Sequence, residues 1–204
     1  MKNIKAKKII LLILIFILAS LLVLFYLKED KITKINVVDE IEKYHYKLED
    51  RDSNLFKSKY ESLKVELNKD EIDFEKYAKI ISELYIIDFY TLNNKINRSD
   101  IGGIEYLDEN IQENFKIKAS ETLYKYINTL EENELPEVKS VVVSEIKEIE
   151  IDYNKEKKEA YEIKLKWDFK KDLGYDKEGI IIAIKNNDKI EIAEFLGGYN
   201  EEDN

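Results

Sequence analysis

Asp88 is the residue of this chain whose setting most invites a chemical role. It follows Ile81, Leu84 and Tyr85 by 7, 4 and 3 residues. A helix carrying those apolar residues would hold the carboxylate inside its buried stripe, away from Glu75, Lys76, Lys79 and Glu83. A carboxylate in that position must be hydrogen-bonded, paired or protonated. In one reading it ties down backbone N–H groups of the 98–103 loop or a tyrosine hydroxyl. In another it contacts a ligand or transfers a proton. A different helical phase would leave it exposed.

Two further features could bear chemistry. His45 is the only histidine, within Tyr44-His45-Tyr46, and the chain has no cysteine. Without a second histidine or a thiolate, a structural zinc site is excluded, and no metal is expected. No partner marks His45 as a general base, so partial burial in a first helix is expected. Tyr161 and Trp167 belong to a strict alternation with Ile163, Leu165 and Phe169. They either pack the core or line a binding concavity together with Asp88. Asp88, Tyr161 and Trp167 are therefore the candidate ligand-binding residues. No Gly-rich phosphate loop, Gly-x-Ser-x-Gly or Gly-containing acidic calcium loop occurs, which predicts a non-enzymatic protein without cofactor.

The elements that must position these residues can be read from periodicity. Asp39 and Glu42 form a capping-box pattern, and Ile41, Tyr44, His45 and Leu48 suggest a first helix. Ser53 caps a second helix with Leu55, Phe56, Tyr60, Leu63 and Leu67 inward, stopping at Asn68. Asp70 or Asp73 starts a third, with Phe74, Tyr77, Ala78, Ile81, Leu84, Tyr85 and Leu92 as its stripe and Asn93-Asn94 as its end. Gly102-Gly103 mark a turn, and Ile104 to Leu107 a short extended piece. Asp108 or Asn110 opens a fourth helix with Ile111, Phe115, Ala119, Leu123, Tyr126, Ile127 and Leu130 inward.

After Pro136 the period becomes two. In 138–153 the apolar phase slips, with Val138, Val142 and Ile146 even but Ile149, Ile151 and Tyr153 odd, as a bulge or bend produces. The run NKEK turns the chain into 160–170, a half-buried antiparallel strand with Glu162, Lys164, Lys166, Asp168 and Lys170 outward. Ile180 to Ile184 reads as a central strand, and Asn186-Asn187-Asp188 as a hairpin turn into Lys189–Phe195.

Ahead of all this, Ile9 to Leu27 is a run of nineteen residues without a charge. As a helix it approaches the ~30 Å thickness of a bilayer core. The run exceeds the apolar core of a cleaved signal peptide, and its small residues, Ala19 and Ser20, lie inside it. It is read as an uncleaved signal anchor. Lys2, Lys5, Lys7 and Lys8 before it, against Lys28, Lys31 and Lys34 after it, place the amino terminus in the cytoplasm. The resulting organisation is a basic start at 1–8, an anchor at 9–27 and a spacer at 28–38. An extracytoplasmic α+β domain at 39–195 and an acidic disordered tail at 196–204 complete it.

The whole chain carries a net charge of −10, and setting aside the four lysines of the acid-free start leaves −14 for residues 28–204. An acidic domain repels phosphate backbones, so nucleic acid is not a partner. Arg51 and Arg98 are the only arginines among many lysines. Apart from the anchor, the expected partners are other proteins or further copies of the chain.

Helices, a short extended piece, a helix and a long antiparallel meander follow one another across 39–195. That order resembles the cone-shaped, cystatin-like α+β fold named after nuclear transport factor two, in which a bent sheet wraps a helix. On a single signal anchor it looks like scaffold subunits of type IV secretion and conjugation systems. The resemblance implies a non-enzymatic scaffold or assembly factor of a bacterial envelope complex. The alternative is a small-ligand sensor or carrier using the cavity of the cone.

Overall fold

The computed structural model describes residues 16–20, 35–131 and 134–197. The expected anchor lies outside the described residues except for Phe16 to Ser20, which are helical, and so do the basic start, most of the spacer and residues 198–204. Among the described residues no helix is long and apolar enough to cross a membrane. The chain divides between Lys34 and Ile35, and the second unit carries everything that follows.

That unit is α+β. It begins with a hairpin, β1 (Val37–Ile41) and β2 (Tyr46–Glu49), where the sequence suggested a helix. The period is two, not 3.6: Tyr44, Tyr46 and Leu48 are buried while His45 and Lys47 face solvent. His45 takes the left-handed conformation that closes the turn, φ 58°, so it is exposed rather than half-buried on a helix. The spacing of Ile41, Tyr44, His45 and Leu48 fits a helical face, but aromatic neighbours pair across strands equally well. Burial of the Tyr46 ring decides for the hairpin. Its hydroxyl meets that of Tyr77 at 2.7 Å, and the hydroxyl of Tyr60 donates to the Tyr46 carbonyl at 3.3 Å.

Helix α1 (Asn54–Leu67) starts at the Ser53 cap, whose hydroxyl accepts the Phe56 N–H, and ends at Asn68. Phe56, Tyr60 and Leu63 are its buried side. Helix α2 (Phe74–Tyr90) is capped by Asp73, which accepts the Lys76 N–H at 3.0 Å. It stops at Thr91, before Asn93-Asn94. Its burial runs around the whole circumference: Ile80, Ser82, Glu83, Ile86 and Ile87 are covered as well as the expected stripe. The helix packs between α1 and the sheet, so no face is left for solvent along most of its length.

A 3-10 turn, Ile104–Tyr106, replaces the short extended piece. Gly103, in the left-handed region at φ 78°, tightens the chain there before Leu107 bridges to Ile192. Helix α3 (Glu109–Glu121) starts at Asp108 as expected but ends earlier, leaving Tyr126 and Leu130 exposed rather than inward.

Strands β3 (Val138–Tyr153), β4 (Glu156–Phe169), β5 (Glu178–Asn186) and β6 (Lys189–Gly197) form one antiparallel sheet in that order. The phase slip in β3 is a register shift between Val143 and Glu145. A second shift, between Val138 and Ser140, turns Val141 inward and leaves Val142 exposed, against the expectation for Val142. On β4, Tyr161, Ile163, Leu165, Trp167 and Phe169 are all buried, and β5 is interior, as the alternation and the continuous apolar run predict. Strand β6 runs through Leu196 and Gly197, two residues assigned to the tail.

Candidate functional site

The end of α2, the turn after it and the β1–β2 hairpin enclose a polar cleft of about 390 Å³. Asp88 lies in its wall. One carboxylate oxygen accepts the Gly103 N–H at 2.6 Å, and the other takes the ammonium of Lys95. The first bond is the expected tie to the 98–103 loop. The Lys95 side chain is 2% exposed, so this is a buried ion pair. Gly102 makes the tie possible, because a Cβ there would overlap the Asp88 carbonyl oxygen. A second anchor holds the same turn: the Tyr124 hydroxyl accepts the Gly102 N–H at 3.0 Å and donates to the Phe89 carbonyl at 2.7 Å.

The opposite wall is built on Arg51. Its guanidinium grips both oxygens of Asp100, one at 2.9 Å, and donates to Glu49 at 2.7 Å and to the Asn94 carbonyl at 3.1 Å. Burial alone would favour the neutral guanidine, but Asp100 and Glu49 outweigh it and keep the side chain charged. Burial likewise works against Asp100 ionising, and Arg51 and the Ile96 N–H more than reverse this. Planar, two-pronged recognition of a carboxylate is what arginine does and lysine cannot, which accounts for one of the chain's two arginines. The other, Arg98, is exposed.

Two carboxyls in the cleft are held differently. Asp52, 8% exposed, accepts only the Glu49 N–H among the described residues, at 2.7 Å. Burial pushes its pKa up to about 6, and the charge of Asp88 adds to the rise. Glu105 projects from the 3-10 turn, and its carboxyl has no hydrogen bond or ion pair with another side chain among the described residues. Burial, reinforced by Asp88, pushes it well above the ordinary carboxylate range. His45 and Lys47 stand at the exposed rim, and Phe56, Ile101 and Ile104 supply apolar wall. Among the described residues no group of three or more His, Asp or Glu is arranged to hold a metal ion.

Of the three residues singled out from the sequence, only Asp88 lines this cleft. Tyr161 and Trp167 lie in the core under the sheet, where the Trp167 ring packs at a tilt 5.2 Å from Tyr90 and 6.3 Å from Phe195. Glu105, Asp52, Lys95, Arg51 and Asp100 were not singled out as site residues. They come from two stretches of the chain, 51–52 and 95–105, and the one local signal was the rarity of arginine. No protein-family model, curated protein or solved structure matches the chain.

Proposed function

We propose that this chain is a single-pass, membrane-anchored protein whose extracytoplasmic domain binds a small polar ligand in the cleft beside Asp88, without catalysing a reaction on it. The anchor rests on the uncharged run at 9–27. The cone-shaped architecture named after nuclear transport factor two is our reading of a four-stranded sheet packed on a buried helix.

The observation that carries the ligand-binding function is the incomplete pairing inside a cleft of ligand-sized volume. Arg51 and Lys95 are consumed by Glu49, Asp100 and Asp88, while among the described residues the buried Asp52 and the half-buried Glu105 have no ion-pair partner of their own. A fold does not retain such groups for stability. The test is thermal denaturation of the full chain against a panel of small amines, acids and sugars. A compound that raises the midpoint of the wild type but not of Ile101→Trp, whose ring would fill the cleft, supports the function. Equal shifts in both proteins would contradict it.

A second reading, a scaffold or assembly subunit in a bacterial envelope complex, is favoured by the edge of the sheet. Among the described residues strand β3 pairs on one side only and exposes Val142, as a strand available to a partner chain does.

A further inference from the structure

The charges lining the cleft do not cancel in pairs. Lys95 is already bound to Asp88, and Arg51 to Asp100 and Glu49. Lys47, the remaining cation of the lining, is exposed at the rim. Glu105 therefore feels the charges of Asp88 on α2 and Glu49 on β2, offset by Lys95, which is already paired, and it shares the lining of the cleft with Asp52. An anion entering this space would meet five carboxyl groups. A bare inorganic cation would leave most of about 390 Å³ unfilled.

Resting on the reading of the cleft as a binding site, we propose that its ligand is an organic ammonium ion. Its nitrogen sits against Glu105 and Asp52, and its carbon body lies against Phe56, Ile101 and Ile104. The elevated proton affinity of both carboxyls agrees with this: burial raises it first and the charge of Asp88 adds to it, more than Lys95 offsets, so a further cation would favour ionisation. Binding then replaces a proton by the ammonium group. The Glu105 O–H bond breaks, its electron pair stays on the carboxylate, and the proton passes to the buffer.

The experiment is isothermal titration of the full-length chain in mild detergent, near neutral pH and at physiological salt. The probes are 1,4-diaminobutane, butyrate and glucose, in two buffers of different ionisation enthalpy. Only the diamine should bind, with a buffer-dependent heat that reports proton release. Glu105→Gln should weaken it by about tenfold or more and remove the buffer dependence. Diamine binding unchanged in Glu105→Gln would mean general attraction to an acidic chain and would overturn the proposal. If butyrate or glucose binds instead, and Ile101→Trp blocks it, the ammonium class fails while the cleft remains a binding site. If none of the three binds, both fail.

Discussion

Asp88 accepts the backbone N–H of Gly103 at 2.6 Å, so a carboxylate in the last turns of α2 fixes the course of the chain fifteen residues later. The same group neutralises Lys95, whose side chain is almost fully covered.

Asp88→Asn would keep one acceptor and leave the Lys95 ammonium buried without a counter-charge. Removing one side of a buried pair costs about 3 kcal/mol, and the folded state should lose about that much. The denaturation midpoint measures the loss, and faster amide exchange at Gly103 locates it. An unchanged midpoint would mean that the tie does not hold the turn.

Asp52 makes stability depend on pH. Below its ordinary value of 3.8 the carboxyl is protonated folded and unfolded alike. Between there and about 6 the folded state holds the proton and the unfolded state does not, so stability falls as pH rises. Above that window the ionised carboxylate costs the folded chain about 2–3 kcal/mol. Asp52→Asn, which can still accept the Glu49 N–H, should be more stable than the wild type near neutral pH and equal to it near pH 3. Urea denaturation at both pH values checks this, and a variant equally affected at both would refute it.

On β4 the alternation assigns opposite consequences to neighbours. Trp167 is 3% exposed, and Trp167→Ala should destabilise the domain by about 3–5 kcal/mol. Lys166, whose side chain is 69% exposed and 3.4 Å from Glu178, should change stability by less than about 0.5 kcal/mol on replacement by alanine. Similar losses from both would mean that the strand is turned the other way.

Topology has its own test. The chain has no cysteine, and Ser140 is exposed on β3. Ser140→Cys should react in intact cells with a thiol reagent that cannot cross membranes. Labelling only after lysis would reverse the orientation and remove the extracytoplasmic assignment.

What the sequence disclosed follows the range of the forces involved. Ser53, Asp73 and Asp108 act on N–H groups two or three residues away, so their caps were readable locally. Burial on β4 needs only the strand's own period. The bulge at Val143–Glu145 was visible because a register change must move apolar residues to the other face. The β1–β2 hairpin was not readable, since its identity depends on Tyr46 reaching Tyr77, thirty-one residues on. Asp88 stood out as a polar residue in an apolar stripe. Glu105 did not, because nothing in Ile104-Glu105-Tyr106 reveals that its carboxyl faces Asp88 and Lys95. The cleft is a product of tertiary placement, and its chemistry becomes visible only there.

The most direct test of the cleft as a binding site places stability and binding on one variant, Glu105→Gln. A carboxyl kept for a ligand stabilises nothing when the site is empty. The denaturation midpoint of Glu105→Gln near neutral pH should therefore equal or exceed that of the wild type, while the rise in midpoint caused by 1,4-diaminobutane disappears. A variant that melts earlier but still responds fully to the diamine would make Glu105 a structural residue and contradict the account.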